Sequence, residues 1–364
     1  MDEIDDPTVG AADPALRAAL NRKLKGRAVV SGEITVPAAP AMLEDYVAMC
    51  TESFEAIGVY FNEADTAHLR TVLEGQLTEA YAASPRSNIV INYQSPVGTT
   101  VSYTVKTQWY TLEGAYDNWV ATREPPLFGT EPDARVWALA SEATDPAAFP
   151  ILDIGAGTGR NCLALARRGH PVDAVEMSPK FAEIIVAQAH QEGLNVRVTL
   201  RDVFTTTSDL RRDYQLILLS EVVSDFRSPE QLAAVFTLAS ECLAPGGRLV
   251  FNIFVAREGY EPDAAARELG QQCYTSIFTR AELAAASGMS GLELESDESV
   301  HDYEKEHLPD GAWPPTSWYA DWVSGLDVFG VPREECPIEM RWLVYRKAEW
   351  IMSPSSRGAG PADW

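Results

Sequence analysis

Four short stretches place carboxylates and glycines where a ligand could meet the ends of β-strands. In Ile151-Leu152-Asp153-Ile154-Gly155-Ala156-Gly157-Thr158-Gly159, an apolar strand runs into a glycine-rich turn. Such turns occur where a ligand must lie close to the backbone. Arg160 stands where a dinucleotide fingerprint wants its third glycine, and Asp153 sits two places before Gly155. A carboxylate there attracts an ammonium group and repels a pyrophosphate, so the spacing argues against a dinucleotide. In Val172-Asp173-Ala174-Val175-Glu176-Met177, Glu176 closes a second strand 23 residues after Asp153. In doubly wound folds an acidic residue about 20 residues on takes ribose hydroxyls. Asp202, just after a third strand, can accept from a base amino group while Val203 packs on the ring; a helix N-cap is the alternative. Leu216-Ile217-Leu218-Leu219-Ser220-Glu221 ends a fourth strand at the lip of the same site.

The surrounding pattern supplies the elements that must hold these residues. Strands are expected at Ile151–Ile154, Val172–Glu176, Val196–Arg201, Gln215–Ser220, Arg248–Phe254, Leu292–Ser296 and Ile338–Arg346. Helices are expected at Asn161–Arg168, Lys180–Glu192, Pro229–Leu243 and Arg280–Ala286. Strand–helix alternation with apolar, β-branched strands predicts an α/β fold with a doubly wound, seven-stranded, mostly parallel sheet. Upstream, a strand at Val29–Val36, helices at Ala41–Phe61 and Asp65–Ala82, and strands at Asn88–Tyr93 and Thr99–Tyr110 around Pro96-Val97-Gly98 form a small α+β unit. The expected division is a flexible acidic tail over 1–26, an α+β domain over 27–112, a ligand-binding domain over 113–349 and a tail over 350–364. Nothing in the α+β block resembles a catalytic constellation, which leaves covering the site or self-association as its expected role.

Bulk composition narrows the partners. Lys and Arg total 29 against 53 Asp and Glu, a formal net charge of −24. Nucleic-acid binding draws its affinity from neutralising phosphates, so neither nucleic acid nor an anionic membrane surface is expected as a partner. No apolar run approaches the roughly 20 residues needed to span a bilayer, and the opening Met1-Asp2-Glu3 is acidic, so a cytoplasmic location is expected. The cysteines Cys50, Cys162, Cys242, Cys273 and Cys336 are scattered without a C-x-x-C pair, which argues against a disulfide framework and a zinc site.

Together the carboxylate-bearing segments and the Pro245-Gly246-Gly247 turn resemble the class I S-adenosylmethionine-dependent methyltransferases over about residues 116–347. Within that class, Gly155-Ala156-Gly157-Thr158-Gly159-Arg160-Asn161, Gly169-His170-Pro171-Val172-Asp173-Ala174-Val175-Glu176 and Phe278-Thr279-Arg280-Ala281-Glu282-Leu283 resemble the tellurite-resistance methyltransferases. The resemblance implies S-adenosyl-L-methionine as cofactor. It implies cofactor contacts at Asp153, Gly155, Ala156, Gly157, Gly159, Asn161, Glu176, Met177, Asp202, Val203 and Ser220. It also implies a small acceptor of the metalloid-oxyanion or thiol kind. Where base-modifying N-methyltransferases carry Asn/Asp-Pro-Pro-Tyr/Phe, this sequence has Ser220-Glu221-Val222-Val223, so a flipped nucleobase is not expected. Where the tellurite group carries a His-Arg pair beyond the sixth strand, this sequence has His301-Asp302.

Methyl transfer is mainly alignment and desolvation, with a base required only for a protonated nucleophile. His301 is the expected proton acceptor, because imidazole titrates near neutrality. Trp119, Arg123, Glu221, Tyr303 and Trp318 are the expected acceptor-side residues. The aromatic run Trp313, Trp318, Tyr319 and Trp322 suits either an apolar acceptor wall or a lid's own packing. His301 and His307 are six apart without further ligands, which is poor metal spacing. A small-molecule methyltransferase is the leading expectation. The alternative is a protein of the same fold that binds cofactor and acts through a partner without turnover.

Overall fold

The computed structural model describes residues 13–25, 29–95, 101–111, 126–205 and 209–349, together with Gly114, Tyr116, Val120 and Thr122. Trp119, Arg123 and the Pro96-Val97-Gly98 turn lie outside the described residues. The chain divides into two compact units, Met1–Thr111 and Leu112–Trp364.

In the first unit, strands β1 (Val30–Pro37), β2 (Asn88–Ser95) and β3 (Ser102–Gln108) form an antiparallel sheet in the order β1-β2-β3. Two helices supply its core: Phe54 from α2 (Leu43–Ala56) and Leu69, Leu73 and Leu77 from α3 (Glu63–Ala83) join Ile89 and Ile91 of β2. The expected single helix over Ala41–Phe61 stops at Ala56, and α3 restarts from Asn62 with a reciprocal capping box to Asp65. The expected flexible tail over 1–26 is corrected in part: Pro14–Lys25 form helix α1. Asp13 caps it by accepting from the Ala15 N–H at 2.9 Å, and Pro14 presets the first turn.

The second unit is built on the strand order β10-β11-β8-β7-β4-β5-β6. Its strands are β4 (Ile151–Ile154), β5 (Val172–Glu176), β6 (Val196–Leu200), β7 (Tyr214–Leu219), β8 (Leu243–Ala256), β10 (Leu292–Ser299) and β11 (Ile338–Lys347). A two-residue β9 (Ile277–Phe278) pairs with β8, which makes eight strands where seven were expected. Pairs among β6, β5, β4, β7 and β8 are parallel; β11 pairs antiparallel with β8 and β10. Every residue of β4 is buried, as befits a strand covered on both faces by helices. Those covers include α4 (Ala134–Ser141), α5 (Arg160–Arg167), α6 (Pro179–Glu192) and α7 (Pro229–Cys242). Four further helices follow: α8 (Ala264–Gln272), α9 (Arg280–Ser287), α10 (Val300–His307) and α11 (Tyr319–Val323), with a single turn, α12 (Leu326–Phe329), before β11. No helix among the described residues is long and apolar enough to cross a membrane.

The order reverses between β4 and β7, since β5 and β6 lie on one side and β8 on the other. In an open α/β sheet the crevice outside the carboxyl ends at such a switch point is where ligands bind. Asp153, Glu176 and Ser220-Glu221 all sit at or just past those ends.

Trp342 of β11 is fully buried and donates its indole N–H to Oε1 of Glu304 on α10 at 2.9 Å. Trp342→Ala removes a large core side chain and a donor to a buried carboxylate. It should lower the unfolding free energy by about 3–5 kcal/mol, read from the shift of the urea midpoint.

Candidate functional site

At the switch point the second unit holds an open cavity of about 280 Å³. Its floor is the turn after β4. Gly155 has φ +70°, and a Cβ there would lie 2.4 Å from Val222 Cγ2. Gly157 is different: its φ is +57°, yet a Cβ would meet only Phe128 at 3.7 Å, an ordinary contact. The demand at Gly157 is therefore the left-handed backbone. That conformation goes with its N–H donating to Oε2 of Glu176 at 2.7 Å.

Two carboxylates flank this turn in opposite states. Glu176 is buried and accepts three backbone N–H groups, from Gly157, from Met177 at 2.8 Å and from Ser178 at 2.7 Å. Burial raises its pKa and the three amides oppose that rise. A carboxylate has about four acceptor sites, so one remains for a ligand hydroxyl. Asp153 is also buried; the Cys162 amide serves its carboxylate, while Oδ2 has no hydrogen-bond partner. Burial, with the nearby charges of Asp133 and Glu176, pushes Asp153 up to about 8, against the pull of Arg160. An orphaned buried carboxylate oxygen at a ligand cavity calls for a cation.

The opposite wall is organised by Arg160, at the start of α5. Its guanidinium is 7% exposed and pairs with Asp133 Oδ1 at 2.6 Å and Glu221 Oε1 at 2.7 Å. Asp133 in turn accepts from Ser220 Oγ at 2.6 Å and from Asn161 Nδ2 at 2.8 Å. Its own N–H donates to Asn161 Oδ1 at 2.9 Å. Behind it, Glu304 accepts from the Ala134 and Arg135 N–H groups, at 2.7 and 3.1 Å, capping α4 from α10. Burial and Asp133 raise Glu304 to about 7. The remaining walls are apolar: Phe128 and Tyr116 meet Phe181 edge-on, and Tyr116 donates its hydroxyl to Asp225 at 2.8 Å.

The structure brings Asp153, Gly155, Ala156, Gly157, Asn161, Glu176, Met177, Asp202, Val203, Ser220 and Glu221 to the cavity wall. Gly159 is not on that wall; its left-handed backbone, φ +94°, starts α5 instead. His301 is not brought there either. Its Nδ1 lies 3.1 Å from Asp302, which Arg333 also holds, and its ring packs on Trp313. Tyr303 lies under the Arg135 guanidinium and stacks on His307. Trp318, Tyr319 and Trp322 pack on one another, Trp322 also meets Phe254, and the cluster belongs to the core and not to the cavity wall. Among the described residues, no group of three or more His, Cys, Asp or Glu could hold a metal ion.

Sequence reasoning missed Asp133, Tyr116, Phe128, Phe181 and Asp225. Only Asp133 left a trace: an arginine at the exit of a glycine turn, destined for burial, requires an acidic partner from elsewhere.

Known proteins resemble the chain in this region. Residues 151–247 match a family described as a methyltransferase domain. A ubiquinone biosynthesis O-methyltransferase of Xanthomonas axonopodis pv. citri (strain 306) is 24% identical over 163 residues, 43% of this chain and 67% of the relative. One from Xylella fastidiosa (strain 9a5c) is 27% identical over 153 residues, 40% of this chain and 61% of the relative. The chain thus spans about three fifths to two thirds of these curated relatives. The solved geranyl diphosphate C-methyltransferase of Streptomyces coelicolor A3(2) is 15% identical with a TM-score of 0.45, over 59% of this chain and 80% of that one. Residues 151–247 thus match a methyltransferase domain, and the cofactor is S-adenosyl-L-methionine.

The residues present fit that cofactor. Asp153 Oδ2 offers an unpaired, buried oxygen to an ammonium group, and Glu176 keeps an acceptor site for a ribose hydroxyl. Met177 and Val203 supply apolar edges where a base would lie.

Glu176→Ala should weaken S-adenosyl-L-methionine binding by about ten- to a hundredfold, the worth of roughly 1.5–3 kcal/mol for a charge-assisted hydrogen bond. Calorimetry on the folded variant checks this. Cofactor affinity should also fall as pH falls below about 8, because the ammonium pairs only with ionised Asp153. Binding in that range must release a proton, measurable as a buffer-dependent binding enthalpy that Asp153→Asn abolishes.

Proposed function

We propose that this protein transfers a methyl group from S-adenosyl-L-methionine to a small, uncharged, partly apolar acceptor. The observation that carries the reading is the charge of the cavity wall. Asp153, Glu176, Asp202, Glu221 and Asp225 line it, with Arg160, Arg201 and Arg227 as the lining cations. Arg160 is already shared between Asp133 and Glu221, and Arg201 pairs with Asp209. With the cofactor's ammonium holding Asp153 ionised, carboxylates outnumber arginines on this wall, and in a low-dielectric cleft that balance repels an anion. A metalloid oxyanion or a diphosphate would meet that repulsion, so the tellurite-type acceptor implied by the sequence resemblance is not part of this reading. The name of the ubiquinone biosynthesis O-methyltransferases agrees with an oxygen-bearing acceptor.

The bound cofactor supplies a methyl group on a sulfonium sulfur that leaves as a neutral thioether. The chain's part is alignment and exclusion of water. Tyr116, Phe128 and Phe181 give the cavity an aromatic lining, which favours a flat apolar body over a fully hydrated ion.

Turnover is tested by following S-adenosylhomocysteine formation with catechol, 4-methylcatechol, tellurite and geranyl diphosphate offered separately. The neutral acceptors should react with kcat/KM at least tenfold above either anion. A preference for tellurite would defeat the reading.

A further inference from the structure

We propose that Glu221 is the catalytic base of this site and that the acceptor is a hydroxyl compound whose proton Glu221 removes. The inference rests on the methyltransferase reading above and names the nucleophile that reading leaves open.

Glu221 follows Ser220 past the end of β7, across the switch point from Asp153. Its backbone sits at φ +61°, a left-handed conformation that non-glycine residues rarely adopt. Two contacts hold it there: its N–H donates to Asn252 Oδ1 at 2.7 Å, and its carbonyl accepts from Ser224 Oγ at 3.2 Å. Strained backbone of this kind is retained where it aims a functional side chain. One oxygen, Oε1, is fixed by Arg160 at 2.7 Å; Oε2 accepts no hydrogen bond from any described residue. One anchored oxygen and one open to the cavity is the geometry of an oriented base.

The other lining carboxylates are otherwise committed. Glu176 is held by three amides, Asp225 takes the Tyr116 hydroxyl, Asp202 accepts from the Phe204 N–H, and the unpaired oxygen of Asp153 suits the cofactor's ammonium. The charged and titratable groups facing Glu221 are Arg160 on α5, Asp133 before α4 and Tyr319 on α11. The Tyr319 hydroxyl is buried without a hydrogen-bond partner. Burial raises Glu221, Arg160 lowers it and Asp133 raises it again, to about 7. A base of that strength is matched to proton removal near neutral pH.

The acceptor class follows from what such a base helps. The surrounding carboxylates hold an amine in its protonated, non-nucleophilic form. A thiol ionises by itself within about two units of neutrality. A hydroxyl stays protonated and gains most from assistance. In the step, the acceptor oxygen bonds to the methyl carbon as the sulfur–carbon bond breaks. The bonding pair remains on sulfur, and the hydroxyl proton passes to Oε2 of Glu221 and from there to solvent.

The test uses the full chain with S-adenosyl-L-methionine and catechol, phenol, 2-mercaptoethanol or benzylamine. At saturating S-adenosyl-L-methionine, which removes the Asp153 dependence, the wild type should methylate a hydroxylated probe with kcat/KM for the probe falling tenfold per pH unit below about 7. Glu221→Gln should lose at least a hundredfold at pH 8 and lose that pH dependence, with cofactor affinity unchanged. A second readout needs no turnover. In the S-adenosylhomocysteine complex, infrared difference spectra should show a carboxylic acid band that grows as pH drops through about 7 and is lost in Glu221→Gln, which keeps only the separate contribution of Glu304. A retained rate and pH profile in Glu221→Gln, or no such band in the wild type, overturns the assignment. Cofactor binding with transfer only to the thiol or amine, or with no transfer to any probe, overturns the hydroxyl acceptor and leaves the cofactor site standing. Absence of cofactor binding overturns the underlying reading instead.

Discussion

The buried guanidinium of Arg160 is the constraint around which this site is arranged. An unpaired charge at that depth would cost several kcal/mol, so its partners must be held in place as firmly as the arginine. Asp133 pairs with one of its nitrogens and Glu221 with the other, and they come from segments before β4 and after β7. Asn161 and Ser220 then fill the remaining acceptor positions on Asp133, and Glu304 caps the helix that follows it. A single buried cation thereby fixes the turn after β7, the entry to α4 and the start of α5.

The two carboxylates beside the glycine turn show how environment separates residues of one chemical type. Glu176 spends most of its acceptor capacity on its own loop, so it is first a structural clasp between the turns after β4 and β5. Asp153 is left with one oxygen idle in a dry setting. An idle oxygen of that kind weakens the empty protein and rewards a cationic ligand, which is preorganisation achieved at the expense of the unliganded fold.

Much of this was legible in the sequence, for identifiable reasons. Fully buried parallel strands such as Ile151–Ile154 announce themselves as short apolar runs, and a ligand turn needs glycines with positive φ. The fold class and the cofactor followed from those local signals. The wall around Arg160 did not, because its residues are assembled from distant segments. Asp133 and Arg160 meet across 27 positions, and Glu304 reaches Ala134 across 170. The aromatic run near Trp318 was ambiguous because tryptophans line pockets and fill cores with equal chemical ease; its packing on Phe254 decides for the core. Helix α1 was hidden by the acidic stretch before it, although Asp13-Pro14 is a good start signal.

Strand β11 lies between β8 and β10, although it is the last strand of the sheet in chain order. During synthesis, then, β8 and β10 emerge with a gap between them that only the final strand can fill. Until Ile338–Lys347 arrives, β8 presents an unpaired, almost wholly apolar edge, the kind of surface that recruits strands from other molecules. Trp342, which steadies Glu304 and through it the entry to α4, is also delivered in that last step. The wall around Arg160 is therefore completed only when the sheet is, and a nascent chain with its glycine turn already formed would still lack that half of the cavity.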